Sequence, residues 1–166
     1  MLKLQKTTSE NTDFALLIAE LDGDLNGRYG KLQAQYNAYN HIEQNNTVIV
    51  AYEDNRAVGC GCFKKLDDDT VEIKRMFVKP THRGQGIAVK IVTELEAWAK
   101  SLNYSASQLE TGIKQTEAIG LYGKLGYTVI DNYGQYAGNE NSVCMRKKLW
   151  KPWKGLIWIT VGEAHG

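Results

Sequence analysis

The residues best suited to chemistry form one short run, Arg83-Gly84-Gln85-Gly86-Ile87-Ala88. It follows a β-branched stretch, residues 70–78, and opens the strongest helical pattern of the chain, residues 87–102. Glycines without Cβ let backbone amides come close to an anion. At a helix start, unpaired N–H groups and the helix dipole both favour negative charge. Arg83 adds a guanidinium fork suited to phosphate oxygens. The segment therefore predicts a phosphate or pyrophosphate site. A dinucleotide fold would require a third glycine where Val89 stands and an acidic residue near position 103, which is Asn103. No nucleoside-triphosphate loop of the form G-x-x-x-x-G-K-[ST] occurs in the chain. From these six residues alone, a glycine-rich turn with no ligand stays open beside the anion site.

The elements that must hold this loop follow from pattern. Residues 2–8 alternate as a short strand. Asn11 or Thr12 can cap a helix whose stripe is Phe14, Leu17, Ile18, Leu21 and Leu25, and which Gly27 and Gly30 are expected to break. Residues 32–42 read as a second helix. Residues 47–53 and 58–64 form a hairpin, with Gly59 and Gly61 on one face where something must approach closely. Residues 70–78 make a third strand, stopped by Pro80. In the helix 87–102, Ala88, Ile91, Val92, Leu95, Trp98, Ala99 and Leu102 form one apolar stripe. A strand at 107–113 precedes a helix capped at Thr116 that ends at Gly126, and strands are expected at 127–132 and 142–149. The order implies an α/β (α+β) fold: a mixed, mostly antiparallel sheet of about seven strands with about four helices on its faces.

Composition narrows the partners. The chain has 166 residues, and its 20 Lys and Arg against 19 Asp and Glu leave a formal charge of +1. That balance argues against nucleic-acid binding by bulk electrostatics. Cys60, Cys62 and Cys144 have neither disulfide nor zinc spacing and read as small buried side chains, while His41, His82 and His165 are too scattered for a metal, so no metal is expected. The Asp67-Asp68-Asp69 run reads as a solvated turn. There is no basic-then-apolar leader, and the longest apolar run, residues 156–161, is too short to cross a membrane. A cytoplasmic protein with no membrane partner is the expectation.

Taken together, the order of elements and two motifs resemble the GNAT superfamily of N-acetyltransferases over roughly residues 2–149. The family's acyl-CoA motif, Q/R-x-x-G-x-G/A after a strand, is matched by Arg83-x-x-Gly86-x-Ala88. One strand and helix later, Gln115-x-x-Ala118-x-x-Leu121-Tyr122-x-Lys124-x-Gly126-Tyr127 follows the pattern N-x-x-A-x-x-L/F-Y-x-K-x-G-F/Y, with Gln115 in place of Asn.

The resemblance implies an acyl-CoA N-acyltransferase fold in residues 1–149, with 150–166 as a C-terminal extension of open role. It implies acetyl-CoA as co-substrate and direct attack of a primary amine, from a small molecule, amino acid or peptide, on the thioester. A bulged strand splaying from its parallel neighbour would receive pantetheine on Met76, Phe77 and Val78. The diphosphate would sit on Arg83, Gly84, Gln85, Gly86, Ile87 and Ala88, and Gln115 would touch the coenzyme arm. Tyr122 would lie near the sulfur, as coenzyme contact and general acid. Glu72 would be the general base, sharing a strand face with Lys74, Met76 and Val78. Arg28, Tyr29, Gln33, Tyr36, Tyr133 and Tyr136 would surround the acceptor.

A non-catalytic acyl-CoA-binding module of the same fold is the alternative function. Leu156–Val161 could pair with a sheet edge of a second subunit, which would make a homodimer.

Overall fold

The structure, a computed structural model, describes residues 1–30 and 44–149. The expected helix 32–42 with Gln33 and Tyr36, the side chain of Tyr29, and the tail 150–166 lie outside the described residues. The elements in chain order are β1 (Leu2–Thr7), α1 (Thr12–Tyr29), β2 (Val48–Glu53), β3 (Arg56–Lys65), β4 (Thr70–Val78), α2 (Ile87–Ser101), β5 (Ala106–Gly112), α3 (Thr116–Lys124), β6 (Thr128–Ile130) and β7 (Ser142–Lys148). One sheet of seven strands runs β1-β2-β3-β4-β5-β7-β6. Only β4 and β5 pair in parallel, so the sheet is mixed and mostly antiparallel, as expected. Three α-helices stand among the described residues, against about four expected.

Helices cover both faces. The stripe Phe14, Leu17, Leu21 and Leu25 of α1 packs on Val48, Val50, Cys60, Cys62 and Phe77. On the other face, Ile87, Ile91, Val92, Leu95 and Ala99 of α2 and Tyr122 of α3 pack on Ile49, Val71, Ile73 and Leu109. β2 contributes alternate residues to both cores, which is why 48–51 read as a continuous apolar run. The three cysteines are free and buried. Burial is the main reason the Cys62 thiol is pushed up to about 12, so it behaves as a small apolar group.

Several boundaries differ from expectation. α1 runs through Gly27 and ends only at Gly30, where φ is +54° and the Gly30 N–H closes on the Asn26 carbonyl. A helical glycine costs about 1 kcal/mol, which the buried α1 stripe offsets. Asn11 caps α1 by accepting from the Phe14 N–H at 3.0 Å. α3 begins at Thr116 with Gln115, not Thr116, as its N-cap residue. β6 shortens to three residues.

β4 carries the decisive irregularity. Arg75 has φ +58°, and the β3–β4 register slips between Cys60 and Cys62. The bulge inverts the pleat. Val71, Ile73, Met76 and Val78 therefore belong to the core under α2, while Phe77 joins the core under α1. The expectation that Glu72, Lys74, Met76 and Val78 share a face is overturned at this residue. Arg75 itself is held by Asp22 of α1 at 2.8 Å.

Gly61 sits opposite the bulge. A Cβ there would collide with Met76 Sδ and lie 3.0 Å from Ile91 Cγ2 and 3.2 Å from Leu95 Cδ1. Close approach was the expected reason for this glycine, and the bulge with α2 is what approaches. Gly61→Val should destabilise the fold by about 2–3 kcal/mol through overpacking. A urea midpoint that does not move would refute that account of the packing.

Candidate functional site

The parallel pairing of β4 and β5 ends at Ile73 opposite Leu109. Beyond it the strands diverge, and the edge of β4 that faces β5 has no strand partner among the described residues. The gap opens into a cavity of about 530 Å³. Its walls are Met76, Phe77 and Val78 of β4, Glu110, Thr111 and Gly112 at the carboxyl end of β5, Tyr122 of α3, and Leu21, Asp24 and Leu25 of α1. Ligand sites at the carboxyl ends of parallel strands are the general rule for open α/β sheets.

One end of the cavity is the start of α2. Gly84 and Gly86 have φ of +78° and +79°, and a Cβ on either would meet nothing within 4 Å. This left-handed geometry is what calls for glycine at both positions. Gly86 is the N-cap residue and gives no side-chain cap, and the first turn holds no acidic residue. The first helical N–H groups thus face outward beside Ile87, Ala88 and Val89, which line the cavity. Arg83 donates from Nε to the Val78 carbonyl at 2.9 Å and lies 3.7 Å from Asp24. Gln85 is exposed and does not line the cavity.

Gln115 lines the same cavity. Its Oε1 accepts from Thr111 Oγ1 and from the Gly112 N–H, each at 3.0 Å. Its amide N–H groups are left to donate. Tyr122 is buried against Tyr127, ring centroids 5.7 Å apart and edge-to-face, and burial raises its hydroxyl above the ordinary tyrosine range.

The other end is polar and buried. Tyr136 lines the cavity with Lys74 and Glu110. Glu72 is 1% exposed and does not line it. Glu72 Oε2 accepts from Tyr133 Oη at 2.5 Å, and Oε1 lies 3.4 Å from Lys74 Nζ. Burial lowers the pKa of Lys74, with the Glu72 charge acting against it. Arg28, expected near the acceptor, is tied to Glu117 of α3 at 2.5 Å and to Asp24 at 3.7 Å, on the side of the cavity that holds Arg83.

The structure brings Met76, Phe77, Val78, Arg83, Gly84, Gly86, Ile87, Ala88, Gln115, Tyr122 and Tyr136 to one cavity. Glu72 and Tyr133 stand behind its polar end. Sequence reasoning missed Glu110. Its signal was a lone charged residue in the strand ASQLETG, near the carboxyl end.

Residues 10–127 match the acetyltransferase (GNAT) family. An IAA acetyltransferase of Azospirillum brasilense is 36% identical over 102 residues, 61% of this chain and 67% of that protein. A Klebsiella pneumoniae structure described as a putative acyl-CoA N-acyltransferase has a TM-score of 0.73 and 31% identity, covering 90% of this chain and 99% of its own. A GNAT family acetyltransferase from Elizabethkingia anophelis, solved with acetyl-CoA bound, is 20% identical with a TM-score of 0.63, covering 89% of this chain and 98% of its own.

Proposed function

The chain belongs to the GNAT acetyltransferase family, and from that premise we propose that it transfers an acetyl group from acetyl-CoA to a primary amine of a small molecule. The observation that carries this reading is the single cavity joining the open start of α2 to the gap between β4 and β5. The diphosphate would rest on the amides following Gly84 and Gly86, with Arg83 beside it. The pantetheine amides would pair with the unpartnered edge of β4, as an added strand would. Gln115 would donate to the coenzyme arm. So bound, the coenzyme would aim its thioester past Tyr122 toward the polar end. Backbone N–H groups beside the bulge are candidates to receive the charge developing on the carbonyl oxygen.

Acyl transfer needs the amine lone pair to attack the carbonyl carbon and the C–S bond to break. The departing sulfur, near pKa ~8.5 by analogy with a cysteine thiol, benefits from a proton donor. Tyr122, which lines the cavity, is the candidate for that role. The amine enters as an ammonium near pKa ~10 and must lose a proton first.

Calorimetric titration of coenzyme A and NAD side by side, followed by thiol release with a panel of primary amines, tests the reading. Coenzyme A should bind, NAD should not, and at least one amine should release thiol. Tight coenzyme A binding with no turnover over the whole panel would favour a binding module instead. No binding of coenzyme A would overturn the proposal.

A further inference from the structure

Resting on the acyl-transfer reading above, we propose that Glu110 takes the proton of the acceptor ammonium, and that Lys74 and Glu72 are positioning residues that govern this transfer through their charges. Geometry singles out Glu110. The β4–β5 register places Glu72 beside Gln108, so the next residue on that face of β5 is Glu110. The register ends between them, at Ile73 and Leu109, so Glu110 falls where the strands part. Glu110 and Lys74 both line the cavity, whereas Glu72 does not. Glu110 Oε1 is buried without a hydrogen-bond partner. Buried polar atoms are almost always partnered, and an exception at a cavity wall asks for one from the ligand. An ammonium N–H is such a donor. Glu72 Oε1 is likewise without a hydrogen-bond partner, but it lies 3.4 Å from Lys74 Nζ and away from the cavity wall, and Glu72 Oε2 already accepts from Tyr133.

The groups facing Glu110 come from each element around it. β4 presents Lys74 and Glu72, β7 presents Ser142 and Cys144, and the loop before β7 presents Tyr136. Burial raises the Glu110 carboxyl to about 7; Lys74 pulls it down and Glu72 pushes it up. A carboxylate in that range is a far better base for an amine than one near ~4.3. Desolvation in the same gap lowers the pKa of the bound ammonium, narrowing the mismatch from the other side.

The step balances as follows. R–NH3⁺ passes one proton to the Glu110 carboxylate, giving R–NH2 and a carboxylic acid. The nitrogen pair forms the C–N bond, and the C–S pair leaves on sulfur. Sulfur takes the Tyr122 proton, the second nitrogen proton restores Tyr122 by way of water, and Glu110 returns its proton to solvent. The sum is amide, free thiol and one proton.

The test is the pH dependence of thiol release with spermidine, tyramine and L-lysine as probes at saturating acetyl-CoA. kcat/KM for the amine should rise through a limb near pH 7. Glu110→Gln should abolish that limb and lose at least tenfold in kcat, with coenzyme A affinity by calorimetry unchanged. Lys74→Met should move the limb to higher pH and Glu72→Gln to lower pH, opposite shifts that a purely structural role would not produce. Folding is checked on the same variant. The folded carboxyl lies above its unfolded value, so its ionisation costs stability as pH rises from about 4.5 to about 7. Glu110→Gln should therefore melt higher than the parent at pH 8 and not at pH 4. Independently of any acceptor, the Glu110 carboxyl should titrate near 7 by ¹³C NMR in the coenzyme A complex. A Glu110→Gln enzyme with parental kcat and limb, or a carboxyl titrating below 5, overturns the proposal. Failure of coenzyme A to bind the parent overturns the acyl-transfer reading, and this inference with it.

Discussion

Gly86→Glu will lose coenzyme A affinity by about ten-thousandfold while keeping the sheet and both cores. Two effects act at this position. The residue holds φ +79°, where an L side chain costs roughly 1–2 kcal/mol. The carboxylate would also project beside the amides assigned to the diphosphate. Two like charges ~4 Å apart repel by about 4 kcal/mol at an effective dielectric near 20, or roughly three decades in affinity. Gly86→Ala separates the two effects. It carries the same backbone strain without charge, and nothing within 4 Å of the position obstructs its methyl group. It should therefore lose about tenfold and no more. Calorimetry gives the affinities, and circular dichroism with urea unfolding gives the fold. Raising the salt should recover part of the Glu variant's deficit and none of the Ala variant's. Unchanged affinity in Gly86→Glu would remove the diphosphate from this helix start.

The loop was legible because its geometry is written into residue types. Left-handed φ values at 84 and 86 call for glycine, and the apolar stripe behind them fixes the helix they open. The motif around Tyr122 was legible for the same reason, since Gly126 ends α3 at φ +97° and Tyr127 closes back on the Tyr122 carbonyl. These are local matters of three to twelve residues.

What escaped the sequence is tertiary. The strand face of Glu72 and Met76 was read from an unbroken two-residue alternation. One residue, Arg75, breaks it, and arginine gives no local signal for a left-handed turn. Its conformation accompanies an ion pair to Asp22, 53 positions away in the chain. The resemblance puts Arg28 among the residues around the acceptor, and no local pattern shows the anions it pairs with, Asp24 and Glu117, the second supplied by a helix 89 residues on. Glu110 depends on where two strands cease to pair, a property of the whole sheet. The positions missed are therefore those whose roles are set by partners distant in sequence. Charge inside a strand that is otherwise uncharged was the one local trace of Glu110.

Tyr122→Phe should lower kcat by about a hundredfold, within the range of a lost general acid, and leave coenzyme A affinity and stability unchanged. The ring is buried and fills its place against Tyr127, so the smaller change in shape is only the missing hydroxyl. Burial holds that hydroxyl protonated well above neutral pH. It is therefore a donor at every pH at which the enzyme is assayed, and its own ionisation leaves no mark on the rate. The need of the departing sulfur for a proton is set by its own pKa, near ~8.5, and not by the pH of the solution. The gap between parent and Tyr122→Phe should thus stay constant with pH, and should narrow for a thioester whose thiol is more acidic. Equal kcat in the two enzymes at pH 7 would return Tyr122 to the core as a packing residue. A deficit that does not narrow with the more acidic thiol would mean that the hydroxyl orients the thioester and does not protonate the sulfur.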